Sequence, residues 1–578
     1  MAGLLISRVF EAMIPLYLRD AIDRVGAALE APAAAAAEVA LLGPALAILA
    51  CVLARYAFIV ASRQVIRRIG VAVAYDLRKR TYAHLQRMGP AFYAQHPTGD
   101  LMARAVNDIQ LVRQLIGMGL RTIVVLVFSG LTGLAFMVSL DPVLTLTLLP
   151  PLPVIGLCGW WLSRRVFAQS VSVQAGFSHL SERVQENLGG IRTVQAQVQE
   201  AREIDRFAVV NDDYAQRFQD LTRTNSVIAS LMPWLGSFCL LSIIGFGGAR
   251  VLAGDLSVGT LTAFLWYLSM VLWPVRQAGQ MVTLWQQGAS GAQRIFEVLD
   301  ALPEVDEPDA PRTEPPAPRG HLELRSLAWR YPGARKDALA RLDIDIPAGS
   351  LIAVTGPVGA GKTTLLRLLV RLLDPPPGSA LLDGLDVRAY GLAELRRRIV
   401  LVPQDPFLFA DLLRANLSYD DPARSDERIG AAAAHADLTT TIARMPGGLA
   451  TLVGERGVTL SGGQKQRATL TRGMVQDAAV LLLDDSFSSV DTETEARILD
   501  GLRSLRRGRT TVLVTHRVAT ARIADRILVL DDGQLLEQGT HAELMAANGA
   551  YATLERMQRG GPDAPAPDDG AATAEPAS

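Results

Sequence analysis

The sequence contains very little cysteine: its 578 residues include only Cys51, Cys158 and Cys239. All three lie in apolar runs without paired spacing, which predicts small buried side chains and excludes a disulfide framework or a cysteine-based zinc site. The sequence also lacks an excess of charge of either sign, because its formal net charge is −1. Without a basic surplus there is no overall footprint for nucleic acid, and we expect no nucleic-acid partner.

Apolar residues, by contrast, are abundant. They make up 49% of the chain, and the mean hydropathy of +0.22 is high for a soluble protein of this length. The chain is also longer than a typical single domain. Length and composition together predict several domains, at least one of which lies in a membrane.

The two halves of the sequence differ in pattern. The first carries long apolar stretches, whereas the second alternates short apolar runs with helical patterns, as α/β domains do. Between them lies EVDEPDAPRTEPPAPRG, a proline-rich and acidic segment typical of a linker. We predict a membrane domain over 1–298, a linker over 299–319, an α/β domain over 320–556 and a disordered tail over 557–578.

Six stretches of the first half are long and apolar enough to span the roughly 30 Å hydrocarbon core of a bilayer. They cover residues 3–22, 39–62, 120–140, 142–163, 226–249 and 258–279. The first is the weakest, because Arg8, Glu11 and Arg19 interrupt it. Met1 falls where this helix should already be under way, so we expect either a naturally short chain or a longer true N-terminus.

Loop charges predict the orientation of these spans. The segments after spans two and four are rich in arginine, whereas the short links 139–142 and 253–259 contain no basic residue. Because basic segments stay in the cytoplasm, both termini are predicted to be cytoplasmic. The basic segments look helical and are expected to extend the membrane helices beyond the bilayer.

The second half contains a phosphate-binding loop. GPVGAGKTT matches the pattern G-x-x-x-x-G-K-[ST] between a predicted strand, 351–355, and a predicted helix, 365–373. Glycines let backbone N–H groups point at phosphate oxygens, the lysine can reach the β- and γ-phosphates, and the threonine after it can ligate Mg²⁺. The predicted contacts are Gly356, Pro357, Val358, Gly359, Ala360, Gly361, Lys362, Thr363 and Thr364.

A strand with two acids at its end supports this site. VLLLDD places Asp484 directly after the apolar run 480–483. Beside a phosphate loop, such an aspartate is expected to hold Mg²⁺ or a water bound to it. The sequence therefore predicts ATP and Mg²⁺ as cofactors.

LSGGQKQR, from Leu460 to Arg467, resembles the signature of ATP-binding cassette (ABC) transporters. Other residues match the same family: Tyr331 the aromatic that stacks on adenine, Gln404 the glutamine that contacts Mg²⁺ and the membrane domain, and His516 the switch histidine. Asp491 matches the loop that crosses the dimer interface, and Glu455 an acidic element of the exporter branch. The resemblance implies that Ser461, Gly462, Gly463 and Gln464 cover the ATP of a second subunit.

The first half is similar to the exporter membrane domain, since 92–109 and 186–200 resemble its two segments that touch ATP-binding domains. The resemblance implies an all-α six-helix transmembrane domain followed by an α/β P-loop NTPase domain, the ATP-binding cassette. Such a chain is a half-transporter that dimerises in the plasma or inner membrane. Its expected partners are a second half-transporter, membrane lipid and a small amphipathic substrate.

One residue departs from the family. The position after the strand's aspartate is normally a glutamate that orients the attacking water, and here it is Asp485. Its shorter side chain withdraws the carboxylate by about 1 Å, which can reduce the rate on the order of 10²-fold. We therefore predict a slow site, with Asp485, His516 and Gln404 as its catalytic residues.

A slow site favours a heterodimer with a related half-transporter that carries glutamate. A homodimer with two slow sites, or a mainly regulatory subunit whose partner hydrolyses ATP, are the alternatives.

Fewer features of the sequence indicate the substrate. Aromatic and methionine residues in the spans suit amphipathic drugs, lipids or peptides, although helix packing and interfacial anchoring are the favoured explanation for them. Arg55 lies inside the second span, where a charge is expensive. It is expected to meet an acidic group of the substrate, to snorkel to the interface, or to pair with Glu11.

Overall fold

The computed structural model describes residues 2–30, 41–148, 150–308, 317–454, 457 and 460–559. The chain divides into two compact units. The first holds Met1–Gln86 and Pro97–Ala301, and the second holds Arg87–His96 and the residues from Leu302 onward. The short segment Arg87–His96 therefore belongs to the second unit, where the Phe92 N–H donates to the Glu304 carboxylate at 2.8 Å.

The first unit is entirely helical over the part that the structure describes. Its helices run well past the predicted spans, as expected for membrane helices that continue into the cytoplasm. At 1.5 Å per residue, the second helix is about 66 Å long, roughly twice the hydrocarbon thickness. The long helices are Ala2–Glu30, Leu42–Leu85, Leu120–Leu140, Pro151–Gly189, Glu200–Ser242 and Val258–Leu299.

Shorter helical pieces connect the long ones or continue them. Ile191–Ala196 joins two long helices, and the helix ahead of Leu120–Leu140 is built from several pieces in line. Three of the short pieces are π-helical turns, which insert an extra residue and are common at functional sites. The pieces are Thr98–Ala103, Ile109–Gln114, Pro142–Leu146, Ile191–Ala196 and Gly248–Leu252, with π turns at Arg104–Asp108, Leu115–Gly119 and Ile243–Gly247.

The predicted fourth span, 142–163, is not one continuous helix. Pro142–Leu146 forms a short helix capped by the Asp141 side chain, and the next helix begins only at Pro151. The reason is local: proline has no N–H and its ring disfavours helical backbone in the residue before it, so Pro150 and Pro151 interrupt the helix. The continuous span predicted across this region is wrong at that point.

Three of the described helical segments are long and apolar enough to cross a membrane by length and composition. They are Leu42–Leu85, Thr98–Leu140 and Glu200–Leu252, each with an apolar 18-residue window, and Val258–Trp273 is a shorter apolar stretch. These four coincide with predicted spans two, three, five and six. The first and fourth predicted spans lie on helices that do not meet this apolar criterion, as their arginines and prolines suggest.

Packing in the first unit centres on the helix Val258–Leu299. Tyr267 and Phe264 are fully buried, and the Tyr267 hydroxyl donates to the Ala12 carbonyl at 2.6 Å. In the second helix Arg55 pairs with Glu11 at 2.9 Å, which confirms the pairing alternative for this arginine. All three cysteines are free thiols; Cys51 and Cys239 are buried as predicted, whereas Cys158 is only partly buried.

The second unit contains two sheets. An antiparallel sheet has the strand order β2-β1-β4-β5, and a six-stranded, mostly parallel sheet has the order β10-β9-β3-β8-β7-β6. The central strands read as continuous apolar runs because both faces are covered. The strands are β1 Leu322–Trp329, β2 Leu339–Ile346, β3 Leu351–Thr355, β4 Ala380–Leu382, β5 Leu385–Asp386, β6 Ile399–Val402, β7 Val480–Asp484, β8 Thr510–Val514, β9 Arg526–Asp531 and β10 Gln534–Gly539.

Helices cover the parallel sheet on both faces, so the predicted α/β class is confirmed. The last helix continues to Arg559 and into the predicted tail, because Tyr551, Ala552 and Glu555 pack into the unit and hold it. The tail from residue 560 lies outside the described residues. The helices are Pro90–Gln95, Lys362–Leu369, Leu392–Arg398, Leu413–Leu417, Asp426–His435, Thr439–Arg444, Gly462–Met474, Thr492–Leu505, Val518–Ala521, His541–Ala547 and Ala550–Arg559.

A buried arginine joins the starts of two neighbouring strands, β7 and β8. Arg506 donates to the carbonyls of Ala478 at 2.7 Å and Thr510 at 2.8 Å, and its burial lowers the pKa of the guanidinium to about 10. In Arg506→Met these carbonyls stay buried without a donor. We expect a loss of about 2–6 kcal/mol in the free energy of unfolding, at about 1–3 kcal/mol for each of the two unpaired carbonyls.

Calorimetric unfolding of the purified protein measures this loss. Arg507→Met is the matched control, because Arg507 is the adjacent arginine and is exposed. Equal stability of the two variants would contradict the structural role of Arg506.

Candidate nucleotide-binding site

The predicted site residues come together because they follow neighbouring parallel strands. In the sheet order, β3, β8, β7 and β6 are adjacent and run in the same direction. The carboxyl ends of such strands meet at one edge, which is where open α/β sheets bind ligands. The phosphate loop follows β3, His516 follows β8, Asp484 and Asp485 end β7, and Gln404 follows β6. All of them line one cavity of about 520 Å³.

The phosphate loop has a backbone that only glycine allows. Gly356, Gly359 and Gly361 have φ values of 142°, 89° and 91°. A Cβ on Gly356 would lie 1.9 Å from the Leu530 carbonyl oxygen, and one on Gly361 would lie 2.4 Å from the Ala338 oxygen. The loop therefore needs glycine both for its dihedral angles and for space, and it leads directly into the helix Lys362–Leu369.

The loop and the acid-tipped strand are joined by one short contact. The Thr363 hydroxyl donates to Asp484 Oδ1 at 3.0 Å, so the two residues predicted to hold Mg²⁺ lie side by side. Burial raises the pKa of Asp484, although the hydrogen bond from Thr363 opposes that shift. The Lys362 ammonium donates to the carbonyls of Gly356 and Pro357, and burial lowers its pKa.

These residues fit a magnesium ion that is shared with phosphate. Within the described ranges, no group of three or more histidine, cysteine, aspartate or glutamate side chains could hold a metal on its own. A hydroxyl and one buried carboxylate are the sparse oxygen set that Mg²⁺ accepts when phosphate and water complete its shell. Gln404, the third predicted ligand, lies instead against Asp485.

Asp485 contacts both remaining catalytic candidates. Its Oδ2 accepts from Gln404 Nε2 at 3.3 Å, and its Oδ1 lies 3.1 Å from His516 Nδ1. Its backbone N–H donates to the Val514 carbonyl, and its φ is 41°, in the left-handed region that few residues other than glycine adopt. The short carboxylate is therefore held at the strand end, between the glutamine and the histidine.

Tyr331 stands where the family's adenine-stacking aromatic is expected. It lines the same cavity, its hydroxyl is 3.1 Å from the Thr364 hydroxyl, and its ring packs edge-on against Trp329 at 4.4 Å. These contacts fix the ring beside the phosphate loop. Its stacking role stays a prediction.

Two residues that sequence reasoning did not find also line the cavity, Leu554 and Gln558 on the last helix. Gln558 donates through Nε2 to the His516 carbonyl and accepts through Oε1 from the Val518 N–H at 2.8 Å. It thus fixes the backbone on both sides of Arg517, directly after the switch histidine. An amphipathic pattern ending in glutamine was the only signal, and that pattern alone does not locate the contact.

The signature residues do not line this cavity among the described residues. Ser461 caps the helix Gly462–Met474 in a reciprocal capping box with Gln464. A Cβ on Gly463 would lie 3.0 Å from the Ser489 carbonyl oxygen, so glycine is needed for close packing there.

Asp491 likewise caps a helix, by accepting from the Thr494 N–H at 2.9 Å, and this bond lowers its pKa. Glu455 lies outside the described residues. The predicted roles of Asp491 and of the signature toward a second subunit stay predictions.

Known proteins share this architecture and its motifs. One family model, the ABC transporter transmembrane region, matches residues 1–275, and another, ABC transporter, matches residues 339–488. The chain is 34% identical to the probable multidrug resistance ABC transporter ATP-binding/permease protein YheI of Bacillus subtilis, over 83% of this chain and 82% of that relative. The chain belongs to the ABC transporter family.

Other relatives of this ABC transporter have transport-related names. It is 34% identical to the ATP-dependent lipid A-core flippase of Aromatoleum aromaticum, over 85% of this chain and 81% of that protein. A solved bacterial Atm1-family ABC exporter with ATP bound matches it with a TM-score of 0.80 and 28% identity, over 97% of this chain and 98% of the other. The predicted exporter-type fold is confirmed: a multi-pass membrane protein with an ATPase domain coupled to transport.

The bridge formed by Gln558 predicts a selective effect on hydrolysis. In Gln558→Leu, the His516 carbonyl and the Val518 N–H lose their partner, and the histidine loop loses its support. We expect ATPase activity to fall about tenfold, because small misplacements of catalytic groups reduce rates steeply. Nucleotide affinity should stay within about twofold, since the phosphate loop is untouched. Met557→Leu, at the exposed neighbouring position, is the control; equal ATPase activity of the two variants would rule the role out.

The raised pKa of Asp484 predicts a conflict between stability and function. An acid whose pKa is higher in the folded state than in the unfolded state destabilises the fold once it ionises, so the penalty grows as pH rises above the ordinary carboxyl range. Asp484→Asn keeps an acceptor for Thr363 and removes the charge.

We therefore expect Asp484→Asn to have a higher Tm than the wild type at pH 7 and an equal Tm near pH 4, with Mg²⁺-dependent ATPase activity abolished. Tm measured against pH without nucleotide tests this. A lower Tm of the variant at pH 7 would contradict the assigned burial effect.

Proposed function

We propose that this ABC transporter is one half of a dimeric exporter that moves amphipathic small molecules, lipids or peptides outward by alternating access. The observation that carries the dimer is the separation of its own motifs: the phosphate loop lines the cavity, and the signature does not. A second subunit would supply the signature that covers the γ-phosphate. The names of the relatives, a multidrug transporter and a lipid flippase, support an amphipathic substrate.

ATP and Mg²⁺ are the proposed cofactors. Bound MgATP supplies the γ-phosphoryl group whose hydrolysis drives transport. In this chain, Lys362 and the glycine backbone would hold the phosphates, and Thr363 with Asp484 would hold the metal. Tyr331 would stack on the base at the side of the cavity where its hydroxyl contacts Thr364.

The proposed orientation places the ATP-binding domain and both termini in the cytoplasm. The arginine-rich segments extend two of the helices, Leu42–Leu85 and Pro151–Gly189, beyond their apolar parts. Arginine-rich flanks remain on the cytoplasmic side of bacterial membranes. The proposed location is the plasma or inner membrane.

The chain's own ATP site is proposed to be slow. Asp485 reaches Gln404 and His516, but its carboxylate is one methylene closer to the backbone than that of a glutamate. A catalytic base must lie within hydrogen-bond distance of the water that it orients. Both carboxylate oxygens already face a protein partner at 3.1–3.3 Å, which favours a carboxylate held back from the water.

A dimer with one slow ATP site can still hydrolyse ATP if its other site carries the catalytic glutamate. We propose a heterodimer in which the other half-transporter carries glutamate at this position and receives the signature of this chain. Two copies of this chain would instead form a homodimer with two slow sites. The purified chain by itself has low activity in both assemblies, so its activity tests the slow site, whereas co-purification of the native chain with its partner distinguishes the heterodimer from the homodimer.

Asp485→Glu tests the slow site directly. We expect ATPase activity of the purified chain to rise by about tenfold or more, because the longer side chain restores the reach of the base. Steady-state ATPase assays at saturating MgATP measure this. Asp485→Asn is the control of equal size without a charge, and it should not gain activity. Vigorous wild-type turnover that Asp485→Glu leaves unchanged would disprove the slow-site proposal.

A further inference from the structure

Two adjoining cavities of the membrane domain are lined by arginines. One, of about 540 Å³, is lined by Arg8, Arg55, Arg63 and Arg121 among other residues. The second, of about 450 Å³, shares Arg63 and Arg121 and adds Arg67 and Arg113. The shared residues make the two cavities neighbours. We name the six residues the arginine cluster: Arg8, Arg55, Arg63, Arg67, Arg113 and Arg121.

The cluster arises from regular spacing on three helical segments. Arg55, Arg63 and Arg67 lie at multiples of four residues on the helix Leu42–Leu85, so they share one side and cover about 18 Å of its length. Arg113 and Arg121 lie roughly two turns apart on the next long helical segment. Arg8 comes from the first helix. Gly70 lies beside Arg113, because a Cβ on Gly70 would be 3.5 Å from the Arg113 carbonyl oxygen, an ordinary van der Waals distance.

Negative charge is scarce in these cavities. Among the described lining residues, Glu11 is the one acid of the first cavity, and the second cavity contains none. Glu11 pairs with both Arg8 and Arg55. One carboxylate therefore serves six guanidinium groups. In a region of low dielectric such an excess of like charge is unfavourable unless an anion offsets it.

Some of the donors are also left without acceptors. Among the described residues, the Nε–H groups of Arg8, Arg55 and Arg113 are buried and have no hydrogen-bond partner in the protein. A buried donor without a partner is unfavourable, and a guanidinium matches the geometry of phosphate or carboxylate oxygens. The arginines that line the cavities thus carry buried unpaired donors as well as positive charge.

The first cavity, of about 540 Å³, also has an apolar wall. Trp266, Met270 and Trp273 come from the last membrane helix, and Leu4, Ile59 and Val125 are the other apolar residues of the lining. Arg63 and Arg121 lie near the predicted cytoplasmic ends of their spans, whereas this wall lies along the spans. A molecule with an anionic head and a hydrocarbon tail matches both parts.

The preference for arginine at the cytoplasmic ends of membrane spans explains why these arginines are present. It does not explain why their side chains converge on two cavities. That preference requires only positive charge at the ends of the spans, and snorkelling side chains reach outward to water and lipid headgroups. Here, side chains from three helical segments converge on adjoining cavities, and three of them have buried unpaired donors. This convergence is what a built anion site needs.

We propose that the arginine cluster binds the oxyanion headgroup of an anionic amphiphile, whose hydrocarbon part lies against Trp266, Met270 and Trp273. This assigns a charge class to the substrate and rests on the proposed export function. The chemistry required of the ligand is a phosphate, sulfonate or carboxylate joined to a hydrocarbon chain. Arg67 and Arg113 lie farther toward the cytoplasm and would meet the headgroup first.

Direct binding to the full-length protein in phosphatidylcholine nanodiscs tests the proposal without ATP. The probes are dodecyl phosphate, dodecylphosphocholine and dodecyltrimethylammonium, which share one chain and differ in charge, together with inorganic phosphate. Because Trp266 and Trp273 line the cavity, tryptophan fluorescence reports binding. We expect dodecyl phosphate to bind at least about tenfold more tightly than the other two amphiphiles, since charged hydrogen bonds to several arginines distinguish it.

Matched variants locate the site. Arg63→Gln with Arg121→Gln should weaken dodecyl phosphate binding by about tenfold or more, whereas the lysine double variant, which keeps the charge but loses the guanidinium geometry, should weaken it by less. Arg80→Gln is the control, because Arg80 lies on the same helix, its side chain is 70% exposed, and it pairs with Asp76. Glu11→Gln removes the one opposing charge and should bind dodecyl phosphate several-fold more tightly, a gain that misfolding does not produce.

Three results would overturn the proposal. The first is equal affinity for the three amphiphiles, and the second is equal binding by the double glutamine variant and Arg80→Gln. The third is displacement of dodecyl phosphate by inorganic phosphate at similar concentration, which would mean a site for a free oxyanion. The export function is judged separately, by ATP-dependent transport of any amphiphile in proteoliposomes, so either idea can fail alone.

Discussion

Parallel pairing of β3, β8, β7 and β6 is the constraint on which the nucleotide site depends. Each residue with a proposed chemical role follows the end of one of these strands, and the backbone ladder sets the distances between them. Register keeps Asp484 level with Val514, so the acid and the histidine loop stay neighbours. The contact of Thr363 with Asp484 then joins the loop to the strand. Few side-chain interactions are needed, because the sheet has already placed the groups.

The membrane domain is also held by few side-chain contacts, but its charges are arranged differently. Its helices are held by small contacts, such as the Tyr267 hydroxyl on the Ala12 carbonyl. Charges within it are not distributed evenly but gather around two cavities. In the nucleotide site, positive charge is supplied by one lysine and backbone N–H groups; in the membrane domain, it comes from arginine side chains on several helices. The two halves of the chain are thus proposed to bind anions by different means.

Local patterns predicted much of this molecule. The phosphate loop, the acid after β7 and the long helices could be read from the sequence because spacing alone determines them. The break before Pro151 was predictable in principle, but apolar composition concealed it. The contacts of Gln558 and the convergence of the arginines could not be read, since both depend on elements far apart in the chain. Arg55 was noticed by itself, whereas its neighbours looked like ordinary cytoplasmic flanks.

The left-handed backbone at Asp485 suggests a second reason for aspartate at this position, besides the length of its side chain. Aspartate adopts this conformation more readily than longer or branched side chains, because its carboxylate can bond to the local backbone. At a φ of 41°, the same residue that shortens the catalytic reach also eases the turn out of β7. A subunit released from the demand for rapid hydrolysis is free to favour a relaxed backbone. With the proposed slow site, aspartate at position 485 would exchange rate of hydrolysis for a less strained backbone.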